Sequence, residues 1–135
     1  MSTESTRQVI QRYVDSNHTD MSVMADDVVF YNTATGEETK GPNAVREMLN
    51  YVYHVAFDGD YPNPNLVCDG DRAVLEGMFT GKHIGEFAGI PATGKDVEVP
   101  LCVYYELEND KIKRAHIYWM VPALFAQLGV SPPVK

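Results

Sequence analysis

Basic residues, cysteines and long apolar runs are all scarce in this chain, and each scarcity excludes a class of protein. The 11 lysines and arginines are outnumbered by 19 aspartates and glutamates, which gives a formal net charge of −8. Nucleic acids and anionic membranes require clustered basic side chains, so neither is expected as a partner. No apolar run approaches the ~20 residues of a membrane-spanning helix, and the first residues lack the pattern of a secretion signal. We therefore expect a cytoplasmic protein.

Residues that typically bind metals or phosphates are also missing from the patterns that such sites need. The two cysteines, Cys68 and Cys102, lie in unrelated segments and are expected to be small buried residues rather than a disulfide. No set of His, Cys, Asp and Glu has metal-site spacing. No glycine pattern resembles a phosphate loop, and no nucleophile elbow is present. We expect no metal and no cofactor.

The residues that are present predict one domain over residues 1–135, because the chain has no repeat and no linker. Apolar residues at helical spacing predict a first helix that ends near Asp15. A second helix is predicted to begin at Gly41-Pro42 and to end before Gly59, and a strand over 28–33 lies between the two helices.

Most of the remaining chain is predicted to form strands. Residues 66–68 and 72–79 flank a turn at Asp69-Gly70-Asp71, and residues 97–107 and 111–119 flank a second turn at Glu108-Asn109-Asp110. A short helix over 123–128 follows. This order predicts an α+β fold in which a curved antiparallel sheet wraps on the N-terminal helices as a cone with an internal pocket.

The register of the second hairpin follows from its turn. If Asn109-Asp110 is a two-residue turn, Val103 pairs with His116 and Leu101 pairs with Tyr118 on a face that is apolar on the earlier strand. That face is expected to look into the core. The polar ends of His116 and Tyr118 would then enter an apolar interior, where each needs a hydrogen-bond partner or a ligand. The alternative for His116 is a core histidine that a neighbour satisfies.

Several segments, in order along the chain, resemble one known family. They are ADDVVF (25–30), ATG (34–36), KGPNAV (40–45), FTGKHIGEF (79–87), GIPATGK (89–95), VEVP (97–100) and LFAQLG (124–129). These segments resemble the SnoaL-like polyketide cyclase group of the nuclear transport factor 2-like superfamily. The resemblance implies the cone-shaped fold and a small hydrophobic molecule as partner. The implied activity is that of a cofactor-free cyclase, isomerase or lyase on a polyketide-like carbonyl compound, with non-catalytic binding of an apolar ligand as the alternative.

The resemblance also implies roles for individual positions. The family's catalytic aspartate stands at the end of the last strand, where this sequence has Met120. Related steroid isomerases have their base at a position that resembles Asn32 and a protonated acid near Val103, and their oxyanion-binding tyrosine resembles Tyr13. The pocket is thus expected to keep orienting groups and to lack the usual carboxylate base.

A histidine is the expected substitute for that base, because its ordinary pKa suits proton transfer at neutral pH. His116 is predicted as the proton-transfer group, with Tyr118, Asn32 and Tyr13 holding an oxyanion. The substrate is expected to contact His83, Met120, Val103, Leu101 and Trp119. A surface-loop position is the alternative for His83. The remaining histidines, His18 and His54, are expected to be exposed, and Asp58 and Asp60 are the nearest carboxylates that could rim the pocket.

The face opposite to the predicted core face carries Cys102, Tyr104, Ile117 and Trp119, which is too apolar to be left in water. The resemblance implies dimers that pack sheet against sheet. We therefore predict a two-fold homodimer that buries Trp119. The alternative is that the terminal segment folds over Trp119.

Overall fold

The computed structural model describes residues 1–130. The helices are α1 (Thr3–Asp15), α2 (Pro42–Asn50) and α3 (Val121–Leu128). The strands are β1 (Met24–Asn32), β2 (Glu38–Lys40), β3 (Phe57–Asp60), β4 (Asn65–Asp69), β5 (Arg72–His83), β6 (Asp96–Glu108) and β7 (Lys111–Trp119). A 3₁₀ turn, Met21–Val23, precedes β1, and a π-helical turn, Tyr51–Ala56, extends α2. The α+β prediction is confirmed, and the short strands β2 and β3 were not predicted.

In residues 1–130, seven strands form one strongly curled sheet in the order β2-β1-β7-β6-β5-β3, and β4 pairs with the first part of β5. The neighbouring pairs are antiparallel except β1 and β7, which run parallel. The prediction of a wholly antiparallel sheet is wrong at this pair. Hairpin turns specify only strands that are adjacent in sequence, whereas β1 reaches β7 after most of the chain has intervened.

Local sequence signals explain where the helices begin and end. Ser2 caps α1, because its hydroxyl accepts from the backbone N–H of Ser5 at 3.0 Å. Gly41 precedes α2 with a φ of 89°, and Pro42 follows at the first helical position. α3 ends at Gly129, whose φ of 78° is the left-handed conformation that terminates many helices. Within the described residues, none of the helices has the length and hydrophobicity that crossing a bilayer demands.

The β6–β7 hairpin contains a bulge that changes which side chains face inward. Its turn is the predicted two-residue turn, with φ of 53° at Asn109 and 61° at Asp110. Leu107 pairs with Ile112 as predicted, but Glu106 then pairs with Arg114, so that Lys113 is an extra residue on β7. From this point the observed register differs by one residue from the predicted register.

The bulge makes the predicted pairs of Val103 and Leu101 wrong. Val103 pairs with Ile117, and Leu101 pairs with Trp119. A slip of one residue moves each side chain to the other face of a strand. Ile117 and Trp119 therefore face the concave side of the sheet, with the helices.

Candidate functional site

The helices and the concave face of the sheet line a cavity of about 710 Å³. This volume is typical of sites that bind small molecules. β6 contributes Leu101, Val103 and Tyr105, which alternate along the strand and share its inner face. The rest of the wall comes mainly from aromatic and aliphatic side chains of the other elements: Phe30, Met48, Leu49, Val52, Phe79, Phe87, Ile117, Trp119, Val121, Pro122 and Phe125.

Four tyrosines and one histidine of the cavity wall contact one another, and we call them the polar cluster: Tyr13, His18, Tyr53, Tyr61 and Tyr105. The rings of Tyr13 and His18 meet edge to face with centroids 4.8 Å apart. His18 stacks on Tyr53 with an interplanar angle of 6° and a centroid distance of 5.6 Å. The ring centroids of Tyr13 and Tyr105 are 6.2 Å apart, and these rings also meet edge to face. The cluster therefore forms one continuous aromatic contact.

The hydroxyl groups of the polar cluster differ in their hydrogen bonding. The Tyr61 hydroxyl donates to the backbone carbonyl of Leu101. Within residues 1–130, the hydroxyls of Tyr13 and Tyr105 find no hydrogen-bond partner, although both side chains are almost fully buried, at 1% and 2% exposure. Because both residues line the cavity, their hydroxyls are available to a ligand.

Burial keeps the polar cluster uncharged at neutral pH. Desolvation raises the pKa of Tyr13 and Tyr105 well above the ordinary value, and it raises the pKa of Tyr53 and Tyr61 as well. Burial lowers the pKa of His18 to about 4, against a smaller opposing effect of Asp60. No Asp, Glu, Lys or Arg lines the cavity in the described part of the chain. The cluster is thus suited to a neutral oxygen group.

His18 was expected to be exposed, and that expectation is wrong. The backbone N–H of Asn17 donates to the Val14 carbonyl and that of His18 donates to the Tyr13 carbonyl, both at 3.0 Å. With Asn17 in the left-handed conformation, these two bonds form a Schellman motif at the end of α1. This motif brings its last residue onto the residue five positions earlier, which here is Tyr13. Asn17, two residues after the end of α1, was the signal that could have revealed the contact.

Asn32 and Tyr13, two of the predicted site residues, line the cavity. The Asn32 side-chain oxygen accepts from the backbone N–H of Ala34 at 2.9 Å, and its amide N–H groups make no hydrogen bond within residues 1–130. The predicted contact residues Val103, Leu101 and Trp119 also line the cavity. The indole N–H of Trp119 is buried without a partner among the described residues.

His116, Tyr118 and Met120 were expected in the cavity, and none of them lines it. The bulge at Lys113 turns His116 and Tyr118 to the convex side, which we call the outer face, and Tyr118 and Met120 are each 52% exposed. His116 contacts a Glu106 carboxylate oxygen through Nε2 at 2.9 Å. The alternative for His116 was a core histidine that a neighbour satisfies. Glu106 is such a neighbour, but His116 lies on the outer face and not in the core.

His83 is fully buried but does not line the cavity. Its Nδ1 accepts from the backbone N–H of Thr93 at 3.2 Å, and its backbone N–H donates to Lys95. These bonds hold the ends of the 84–95 loop together, and the same loop carries Phe87 and Ala88 to the cavity wall. His83 is thus placed to support the wall from behind. The predicted surface-loop alternative does not fit this burial.

The structure also places the two candidate carboxylates and the residues of the predicted dimer face differently from the prediction. Asp58 and Asp60 do not line the cavity, although Asp60 acts on His18 through its charge. Ile117 and Trp119 face the cavity, so they cannot belong to the face predicted to dimerise; Cys102 and Tyr104 remain on the outer face with His116 and Tyr118. The homodimer itself stays a prediction. Cys68 and Cys102 are free and only partly buried.

Comparison with known proteins assigns this chain to a family. The model of the SnoaL-like polyketide cyclase family matches residues 7–128. The chain belongs to this family. No sequence among curated proteins matches the chain.

Solved structures agree with the fold of this SnoaL-like protein. A protein from Jannaschia sp. CCS1, assigned as a SnoaL-like polyketide cyclase, has a TM-score of 0.85 at 16% identity, over 96% of this chain and 95% of that chain. A protein from Xanthomonas campestris, also assigned as a polyketide cyclase, has a TM-score of 0.83 at 18% identity, over 93% of this chain and 98% of that chain. AclR of Streptomyces galilaeus, assigned as a hydroxylase, has a TM-score of 0.78 at 23% identity over 99% and 87%. At these identities the similarity concerns the fold alone.

Proposed function

We propose that this SnoaL-like protein is a cofactor-free enzyme of the cyclase, isomerase or lyase type that acts on a small, neutral, largely apolar carbonyl compound. One observation carries the proposal: within residues 1–130 the hydroxyls of Tyr13 and Tyr105, two buried residues of the mainly apolar cavity wall, make no hydrogen bond. A ligand that accepts hydrogen bonds from these hydroxyls in a mainly apolar surrounding gains affinity from this arrangement.

A carbonyl oxygen is the ligand group that best fits these two phenols. It has two lone pairs and no proton, so it can accept from Tyr13 and Tyr105 together. When a carbonyl becomes an enolate during proton abstraction, negative charge develops on the same oxygen, and fixed donors in a dry site stabilise that charge. The amide N–H groups of Asn32 supply further donors in the same cavity.

The cavity wall favours a neutral compound over an anion. A carboxylate or phosphate would lose its hydration on entering, and no Lys or Arg in the described wall would compensate for that loss. The apolar part of the ligand would contact Phe79, Leu101 and Trp119 instead. We therefore expect ketones and related hydrophobic carbonyl compounds to bind, and their carboxylic acids to bind much more weakly.

A pair of probe ligands tests this proposal through the single tryptophan of the chain, which lines the cavity. Titration of Trp119 fluorescence with 2-tetralone and with tetralin, the same skeleton without the carbonyl, measures what the oxygen contributes. Tyr13→Phe should weaken 2-tetralone binding by about 2- to 10-fold, the range for one neutral hydrogen bond, and leave tetralin binding unchanged. Tyr118→Phe, on the outer face, is the matched control. Equal weakening of both ligands, or of neither, would contradict the role of Tyr13.

Non-catalytic binding of a small apolar ligand is the second candidate function. It is favoured by the absence of an aspartate or glutamate from the described cavity wall, since carboxylates are common bases for carbon acids. Tight binding of 2-tetralone without any proton exchange at its carbon atoms would support this candidate over the enzyme.

A further inference from the structure

His18 is held in the cavity by an unusual stretch of backbone. Asn17 and His18 have φ values of 57° and 63°, both in the left-handed region that residues other than glycine seldom adopt. Two such residues in succession cost free energy and persist where the surrounding structure fixes them. The Schellman bonds and the stack on Tyr53 are what fixes them here. This strained turn directs an imidazole at the ligand space.

The imidazole of His18 has no hydrogen-bond partner among the described residues. Within the described chain neither ring nitrogen makes a hydrogen bond, and His18 lines the cavity. The titratable groups that face it are Tyr13 from α1, Tyr53 from the π-helical turn, Asp60 from β3 and Tyr61 after that strand. Tyr53 stacks on the face of the ring, so that the ring edge with its nitrogens lies outside this stack. A lone pair on that edge can therefore accept a proton from a ligand.

The other three histidines are excluded from this role by position. His54 is exposed on the π-helical turn, His83 is sealed behind the wall, and His116 faces outward toward Glu106. All four histidines of the chain lie within the described residues, and only His18 lines the cavity.

We propose that His18 is the catalytic acid–base residue of this site and that it transfers a proton at the carbon next to the carbonyl group held by Tyr13. The proposal rests on the proposed function. In the step, the C–H bond breaks, its electron pair forms the enolate, and the proton moves to the free ring nitrogen of neutral His18. The imidazolium then returns a proton to the same or a conjugated carbon, which regenerates the neutral ring. No oxidant, reductant or metal takes part.

The proposal is tested by the exchange of carbon-bound hydrogen in heavy water. Proton NMR follows the loss of the signals next to the carbonyl of 2-tetralone, because His18 exchanges its proton for deuterium before returning it. His18→Asn is the variant of choice, since asparagine tolerates the left-handed backbone and carries no titrating base. His54→Asn is the matched control. We expect wild type to exceed the buffer rate and His18→Asn to lose about 10²-fold, the lower end of the range for a general base, because a lowered pKa makes the imidazole a weaker base. His54→Asn should retain the rate.

The pH profile of the wild-type rate gives a second readout that a merely structural role would not move. Because burial lowers the pKa of His18 to about 4, the exchange rate above background should change by only about a tenth between pH 7 and pH 5. A solvated histidine with a pKa of ~6.5 would lose about 25-fold over that interval. If His18→Asn does not fold, His18→Gly takes its place, because glycine adopts the left-handed backbone without strain and carries no base. Loss of exchange with retained 2-tetralone binding supports the proposal, and retained exchange overturns it.

The remaining outcomes separate the failure of this proposal from the failure of the proposed function. Wild-type exchange that His18→Asn keeps would overturn the role of His18 and leave the enzyme standing. Binding of 2-tetralone without exchange would overturn the role of His18 and support the non-catalytic binder. Neither binding nor exchange would overturn the proposed function and this inference together.

Discussion

Protonation of His18 couples the stability of the fold to pH. Burial lowers the pKa of this imidazole to about 4, and the charge of Asp60 offsets only part of the shift. A histidine in an unfolded chain has a pKa of ~6.5. As the pH falls below that value, the unfolded chain binds a proton before the folded protein does. The free energy of unfolding should therefore be insensitive to His18 above about pH 7 and decrease as the pH falls toward 4.

The size of this effect follows from the two pKa values. A difference of about 2.5 units is worth about 3 kcal/mol over the full range, at ~1.4 kcal/mol a unit. About 2 kcal/mol of it is lost between pH 7 and pH 5, where the unfolded histidine becomes almost fully protonated and the folded one stays mostly neutral. His18→Asn removes the titration, so the stability of this variant should fall less over the same interval, by about 2 kcal/mol.

Urea unfolding at pH 7 and at pH 5, followed by far-ultraviolet circular dichroism, measures this difference. Other titrating groups contribute equally to wild type and variant, so they cancel in the comparison. His54→Asn should behave as wild type, because His54 is exposed. Equal losses of stability in wild type and in His18→Asn would refute the reasoning, since they would mean that the imidazole titrates as a solvated group.

Two further predictions concern the sheet. Deleting Lys113 should preserve the fold and 2-tetralone binding, because the deletion removes only the extra residue of the bulge and an exposed ion pair with Asp27. Such ion pairs contribute little to stability. A variant that folds but no longer binds 2-tetralone would contradict the assigned register. The outer face, where Tyr118 is 52% exposed beside Cys102 and Tyr104, is predicted to form the two-fold homodimer. Light scattering at micromolar concentration should show a dimer for wild type and a monomer for Tyr118→Arg, and a monomeric wild type would remove the prediction.

Local signals in the sequence were enough to predict most of the elements. The apolar spacing of the first helix, Pro42 at the start of the second helix and the two turns at Gly70 and Asn109 each act over a few residues, and each prediction is confirmed. The alternation along β6 also predicted correctly that Leu101 and Val103 face inward, since period-2 patterning needs only one strand.

The failures have two physical causes. No characteristic residue type marks the bulge in the sequence, so counting outward from the Asn109 turn could not detect the extra residue. The count therefore placed His116 and Tyr118 on the wrong face. Non-local contacts were the second cause. The parallel pairing of β1 with β7 and the stack of His18 on Tyr53 join segments that are distant in sequence. Within the site, Tyr13 and Asn32 could be placed by resemblance alone, whereas His18 required the geometry of the end of α1.

A crystal structure of the 2-tetralone complex would show directly which side chains contact the carbonyl oxygen. We expect this oxygen at hydrogen-bond distance, about 2.7 Å, from the Tyr13 or Tyr105 hydroxyl, with a carbon next to the carbonyl facing the ring edge of His18. The hydrocarbon ring should lie against Phe79 and Trp119. A ligand with its oxygen turned away from the polar cluster, or bound outside the cavity, would contradict both the proposed function and the role of His18.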